Sequence, residues 1–384
     1  MIDTSIKTDN RIFGLDVMRA VSIAMVLFSH STVIYPENDG ILSKLKDLSG
    51  FFGIELFFIL SGFLVGSSIY KLFIYNEYGF GEVKNFLFRR MFRIIPSYYL
   101  VLIINIIIYI CFAFSLREVW KYFFLMQNVA TPIPAFFPES WSLPVKELGY
   151  VIAVLLLYVF VTFFSNFSRK KIFFSVIFSM LILSFLAKVN YHFHSDNVDL
   201  SVWSQSVRGV MIYRMDSVLA GLLLGCLFFE HPHFFKRNKL LFAGFGLLFF
   251  LLFLASVMIF KLRLDNAAWF WNIFCLPLAS VIVLMLFPMM LDWKKGPKRL
   301  VTPVKFACDI SYSVYLIHYS IVLFLMMRLF DLKSYSQSEL HIFTLSYLTV
   351  TLLLSVVFYH FFEKPINKYR LSNFKLRLIN FGKK

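Results

Sequence analysis

The sequence is poor in charge. Of its 384 residues only 16% are Asp, Glu, Lys or Arg, where a soluble domain carries about 25%, and a soluble enzyme is thereby excluded. Cysteine is scarce too. Cys111, Cys226, Cys275 and Cys308 all lie in apolar stretches without paired spacing, so neither a disulfide framework nor a cysteine-based zinc site is supported. His192-Phe193-His194 and His231-Pro232-His233 are loop pairs with no third ligand nearby, and no metal site is expected. There is no Walker loop, dinucleotide glycine pattern or Gly-x-Ser-x-Gly elbow. Without internal repeats or low-complexity linkers, the chain reads as one domain, 1–384.

Apolar residues are what the chain has in excess: 59% of it is hydrophobic, and phenylalanine alone contributes 49 residues. A membrane-spanning helix needs about 20 mostly apolar residues. Ten such runs are present, at roughly 13–35, 51–72, 94–115, 147–165, 172–190, 208–230, 240–261, 270–290, 303–328 and 342–362. They are continuous and lack period-two alternation, which favours helices over barrel strands. The expected fold class is all-α, a polytopic membrane protein with about ten transmembrane helices in one bundle. The first run contains Asp16 and Arg19 and lacks a small-residue cleavage site, so it is expected to remain as the first span.

The 38 Lys and Arg outnumber the 22 Asp and Glu. Beside a bilayer that excess speaks to orientation rather than to nucleic acid, and no nucleic-acid partner is expected. Ten spans leave both ends on one side. The segments and flanks on that side hold 25 Lys and Arg against 11 opposite, with Arg19 and Arg214 inside spans. The bias predicts that both termini are cytoplasmic. Five of the six tryptophans (Trp120, Trp141, Trp203, Trp269 and Trp271) then fall on the external side, mostly as an interfacial belt.

Ionisable groups within a membrane cost on the order of 2.5–3.5 kcal/mol each and persist where they pair or line a polar cavity. The first span carries Asp16, Arg19 and His30. Arg19 and His30, eleven residues apart, project from one helix face about 16 Å apart along the axis. Asp16 is placed to pair with Arg19. A snorkelling arginine and a structural histidine would be the bland reading of either residue alone. In the second span Glu55 lies at about the depth of His30, where it could fix the imidazole tautomer. Ser61 and Gly62 there permit close helix approach.

Arg90 and Arg93 share a face at the cytoplasmic boundary, with Arg89 beside them. Arginine forks suit phosphate, although on the residues alone an orientation signal with anionic-lipid contact is the preferred reading. Trp141 and Glu147 end the longest external loop, Arg214 and Asp216 sit in the outer half of the sixth span, and Tyr315 and His318 share a face of the ninth.

Together these segments resemble the acyltransferase-3 family of integral membrane acyltransferases, which O-acylate cell-surface carbohydrates. The resemblance rests on Arg19-x10-His30, Gly53–Phe63, Arg89–Pro96, Trp141–Tyr150, Arg214-Met215-Asp216, Ile310–His318 and Glu363-Lys364-Pro365, and it runs in order along the whole chain. It implies a ten-helix domain that takes an acyl group, usually acetyl, from cytoplasmic coenzyme A, with no permanently bound cofactor. It also implies His30 as the central catalytic residue, and Arg19, Arg90 and Arg93 as donor-binding groups. One departure stands out. The family's Trp-Ser-Leu-x-Val-Glu has Lys146 at the Glu position here, followed by Glu147.

The expected chemistry has the arginines hold acyl-CoA at the cytoplasmic face while His30, oriented by Glu55, acts as general base or carries the acyl group. Asp16, Ser61, Trp141, Glu147, Arg214, Asp216, Tyr315 and His318 would line the cavity or meet a surface glycan such as lipopolysaccharide O-antigen, capsule or exopolysaccharide. The expected location is the plasma membrane, the inner membrane of a bacterium. The chain ends soon after the tenth span, so any extracytoplasmic hydrolase-like domain would be a separate partner. The rival class is a transporter or flippase for a glycan or anionic solute, since ten spans with buried charges also suit a carrier.

Overall fold

A computed structural model describes residues 11–35, 40–75, 78–196 and 199–369. Those residues are almost entirely helical, with no strands among them, and ten helices are long and apolar enough to cross a membrane. They are α1 (Phe13–Ile34), α2 (Ile41–Ile74), α3 (Phe80–Cys111), α4 (Pro138–Phe163), α5 (Arg169–His194), α6 (Met211–Glu230), α7 (Lys239–Met258), α8 (Phe270–Asp292), α9 (Lys298–Leu329) and α10 (Gln337–Tyr369). The protein is an integral membrane protein. The end at which α1 begins is called proximal below, the other distal.

Several helices outrun the apolar stretches that announced them. The second starts at Ile41 rather than 51 and the third at Phe80 rather than 94, because a helix continues past the hydrocarbon once its polar face meets water. Local signals set some of these ends. The Glu82 carboxylate accepts the Gly79 N–H (3.0 Å) before α3. Ser336 and Glu339 cap α10 reciprocally, the Glu339 carboxylate accepting the Ser336 N–H (2.7 Å) while the Ser336 hydroxyl accepts the Glu339 N–H (3.4 Å). The basic residues before Arg11 and after Tyr369, part of the charge count above, lie outside the described residues.

The middle of the bundle is the α2–α6 pair. Gly62 and Gly66 face α6, while Gly221 and Gly225 face α2. A methyl group on Gly62 would sit 2.1 Å from the Val218 carbonyl oxygen, and one on Gly221 2.2 Å from that of Ile59. Two small-xxx-small stripes therefore clasp backbone to backbone, the arrangement that substitutes for hydrophobic driving force in lipid. Around this pair α1, α5, α8 and α9 pack inward, while α7 is the least buried span. The distal segment between α3 and α4 is stapled down by tyrosines. Tyr98 donates to the Tyr122 carbonyl (2.9 Å), Tyr109 to that of Ala135 (3.0 Å) and Tyr122 to that of Phe136 (2.5 Å).

Five π-helical turns interrupt the spans and their approaches: Pro144–Leu148, Ser204–Arg208, Phe270–Phe274, His318–Leu323 and Tyr359–Glu363. Such insertions turn a helix face and often accompany functional sites. Four of the five carry a polar residue discussed below.

Candidate active site

His30, at the end of the α-helical part of α1, meets His318 at the start of a π turn in α9, with His30 Nδ1 2.6 Å from His318 Nε2. The rings are nearly parallel (12°), with centroids 4.9 Å apart. The nitrogens approach far more closely than the centroids, so the rings meet edge to edge, as an in-plane N–H···N bond requires. The tautomers follow from the other contacts. His318 Nδ1 faces the carbonyl oxygens of Tyr315 (2.8 Å) and Val314 (3.1 Å), which can only accept, so the proton sits on that nitrogen. A neutral His318 then offers Nε2 as acceptor, His30 donates from Nδ1, and the lone pair of His30 remains on Nε2. Tyr319 lies against the His30 ring, its centroid 4.8 Å away.

Glu55 does not orient His30. Its carboxylate is fully buried and already occupied, by Arg214 Nη2 at 2.6 Å and the Ser280 hydroxyl at 2.5 Å. Arg214 also donates to the Ser217 hydroxyl (3.0 Å). A buried carboxylate takes the strongest donor within reach, and on α6 that donor is a guanidinium. Asp216 accordingly pairs with Lys188 of α5 rather than Arg214, and also accepts the Ser217 N–H (2.8 Å). Lys188, fully buried, escaped the sequence reading because it sits near a span end, where snorkelling is the default.

Arg19 and Asp16 do not pair either. Asp16 is held by the fork of Arg11 (3.0 and 3.2 Å), which also reaches Asp309 (3.0 Å), while Arg19 extends past Asp16 to the Cys308 sulfur (3.6 Å). Above Arg19 a narrow cleft of about 10 Å3, room for a single water, lies between α1, α2 and α9, lined by Ser22, Val26, Phe57, Ser311 and Tyr315. It follows the face of α1 that leads toward His30. Tyr315 bonds the Ser142 hydroxyl (2.6 Å) and the Glu139 carbonyl.

The second basic cluster is less open than expected. Arg90 lies 4.2 Å from the Tyr150 ring centroid and 3.8 Å from the Glu147 carboxylate. Glu147, buried in the π turn that opens α4, also meets Lys146 (3.4 Å). Lys146 at the departing position thus joins Glu147 and Arg90 in one ion cluster. Ser61 lies beside the Tyr150 hydroxyl, outside the cleft. Arg93 is exposed, within electrostatic reach of Glu363, and Ser313 donates to Glu363 (2.5 Å). At the distal end the Trp141 ring packs on Phe58 (5.6 Å), and its carbonyl accepts from Asn128 (2.9 Å). Among the described residues no three His, Cys, Asp or Glu side chains gather into a metal site.

A histidine pair with one bare nitrogen, in a bundle of ten apolar helices, is a site that can accept and return a proton. Comparison with known proteins agrees. The family described as an acyltransferase domain matches residues 12–360, and the chain belongs to that acyltransferase-3 family. It is similar to a Staphylococcus aureus (strain COL) protein bearing the provisional name of O-acetyltransferase, with 24% identity over 391 residues, covering 95% of this chain and 59% of the relative. It is likewise similar to the O-acetyltransferase OatA of Staphylococcus aureus (strain NCTC 8325), with 23% identity, covering 92% of this chain and 57% of that protein. The chain thus spans under three-fifths of the length of these curated relatives. No solved structure matches.

Proposed function

We infer that the protein is an O-acetyltransferase of the plasma membrane, moving acetyl from cytoplasmic acyl-CoA to a hydroxyl of an extracytoplasmic glycan such as lipopolysaccharide O-antigen, capsule or exopolysaccharide. Both termini are cytoplasmic in this reading, so the proximal end faces the donor. The observation that carries it is the His30–His318 pair with its bare Nε2, on the side of α1 that also carries Arg19 and the cleft above it.

The phosphates of coenzyme A cannot enter hydrocarbon cheaply, and Arg93, with Arg19 at the cleft mouth, holds them at the proximal end. The uncharged pantetheine arm extends along the line of the cleft, which α1, α2 and α9 must part to admit it. His30 Nε2 takes the proton of the glycan hydroxyl as its oxygen attacks the thioester. The positive charge that builds on His30 is spread through Nδ1–H to His318. When the thiolate leaves, His30 returns the proton to it. Trp141 and Tyr315 border the side from which the glycan arrives, and an extracytoplasmic partner domain supplied by another chain would hand the polymer over.

The test is purified protein in detergent with radiolabelled acetyl-CoA and surface polysaccharide stripped of its esters by mild base. Label should pass to the polysaccharide, and H30A should abolish transfer with the thermal unfolding midpoint unchanged. Near-normal turnover by H30A removes the catalytic assignment. A carrier would instead show uptake into vesicles without acyl transfer.

A further inference from the structure

One charged group at the reacting end has no part in the mechanism above. Arg208 closes the π turn Ser204–Arg208 just before α6. Its Nη1 donates to the Ser204 hydroxyl and its Nη2 to the Gly50 carbonyl, both at 3.1 Å, and its Nε–H is buried with no partner. Among the described residues it forms no contact ion pair: the charges of Glu55 and Asp47 reach it only at longer range, and Glu55 is committed to Arg214 and Ser280. Burial, then the like charge of Arg214, pulls the guanidinium down to about 10, so it stays protonated at neutral pH.

Its position is fixed from two sides. Gly50, which accepts from it, presses on the residue before His30: a methyl group on Gly50 would lie 2.2 Å from Ser29 Oγ. On the other side Asn128 bonds both the Trp141 carbonyl (2.9 Å) and the Gly209 carbonyl (2.5 Å), locking the backbone next to Arg208 onto the Trp141 loop. The guanidinium carbon lies 5.9 Å from the ring centroids of both Trp141 and Phe51. Its charge acts on both His30 and Tyr315. Arg208 thus lies beside Trp141 and within electrostatic reach of His30.

The Nε–H is shut off from water without an acceptor, which is costly for a charged donor until one arrives. Thioester, hydroxyl and neutral imidazole carry no charge, and negative charge, the strongest acceptor for such a donor, appears only at the tetrahedral stage. We propose that Arg208 is a catalytic residue of the transfer, its Nε–H holding the thioester oxygen as that oxygen becomes negative. The hydroxyl oxygen forms its bond to the carbonyl carbon while its proton goes to His30 Nε2, and the C=O electron pair moves onto the oxygen facing Arg208. Collapse restores the C=O, breaks the C–S bond and sends the thiolate off to collect the proton from His30. A single unoccupied donor suits one such oxygen. It does not suit the bidentate grip by which arginine binds a carboxylate or phosphate of an incoming ligand, which disfavours a role in holding an anionic glycan. An interaction made only in the transition state lowers kcat and leaves KM alone when it is lost.

This inference rests on the proposed transfer, and the test separates the two. With radiolabelled acetyl-CoA and base-treated surface polysaccharide, R208Q should lower kcat by about 10²–10³, with both KM values within about threefold of wild type. R208K, which keeps the charge but not Nε–H, should lose at least about tenfold in kcat, and added methylguanidinium should restore part of the turnover of R208A. A kcat within about threefold of wild type in R208Q, a loss confined to the KM for polysaccharide, or full kcat in R208K would overturn the assignment. If R208Q does not survive extraction, R208K and the methylguanidinium rescue decide. Wild-type protein that labels no polysaccharide sinks the functional reading itself; an active wild type with an indifferent R208Q sinks Arg208 alone.

Discussion

Replacing His318 by alanine removes the acceptor that holds His30 in the tautomer with a bare Nε2, and leaves His30 Nδ1–H without its 2.6 Å partner. In the ground state both imidazoles are neutral and the bond contributes little. As His30 gains a proton the bond becomes charge-assisted, and a hydrogen bond to a charged group is worth about 1.5–3 kcal/mol. With about 1.36 kcal/mol per factor of ten, H318A should lower kcat by about 10- to 150-fold while the KM for acetyl-CoA holds. H318Q sets an amide oxygen near the site of the lost Nε2 and should recover part of the rate, although it gives up the contact to the Tyr315 carbonyl. The assay is initial-rate transfer of label at saturating acetyl-CoA, with thermal unfolding followed in parallel. A kcat for H318A within about twofold of wild type would refute the relay. So would an H318Q variant as slow as H318A with an unchanged unfolding midpoint, since packing and not proton placement would then be the role of His318.

Three further outcomes follow from the packing and the charges. Gly221→Leu drives a side chain into the Ile59 carbonyl, 2.2 Å from the new Cβ, and should destabilise by upwards of about 1–3 kcal/mol; Gly244→Leu, with nothing within 4 Å, should be neutral, as size-exclusion profiles and unfolding midpoints will report. Glu55→Gln strands Arg214 in the core and should cost about 3–5 kcal/mol, whereas the double change Glu55→Leu with Arg214→Met should recover much of it, measured by the same melts. Arg93→Ala should raise the KM for acetyl-CoA with kcat unchanged, while Arg90→Ala, which leaves Glu147 and Lys146 without a member of their cluster, should show chiefly as lost stability; equal donor dependence in Arg93→Ala and wild type would return Arg93 to an orientation signal.

The spans were legible because hydrocarbon imposes length and polarity limits that composition alone can meet, and all ten are present. Their polar extensions were not, since the stretch from Phe80 to Arg93 stays helical without being apolar. Within one helix, facing was readable: Arg19, at the mouth of the cleft, and His30, at the end of the helix, do lie along one side of α1. Partners across helices were not. Asp16 took Arg11 over Arg19, Glu55 took Arg214 over His30, and Asp216 took Lys188, which no motif had singled out. A helical wheel states which way a side chain points and nothing about which neighbour stands opposite. The π turn at His318 adds to the difficulty, because it shifts the face of α9 without any proline or glycine to announce it. Arg208 went unnoticed for a simpler reason: at the start of a span, a lone arginine reads as an interfacial anchor.

The cleft above Arg19 is walled by Ile23, Val26, Ile54 and Phe57, and the ion pairs behind it are sealed from it. A greasy seam this tight strips hydration from any ion that enters it, so sodium and hydronium meet a dielectric barrier. In the proposed transfer, a cell that stores work as an electrochemical gradient would host this catalyst in its energised bilayer without short-circuiting itself.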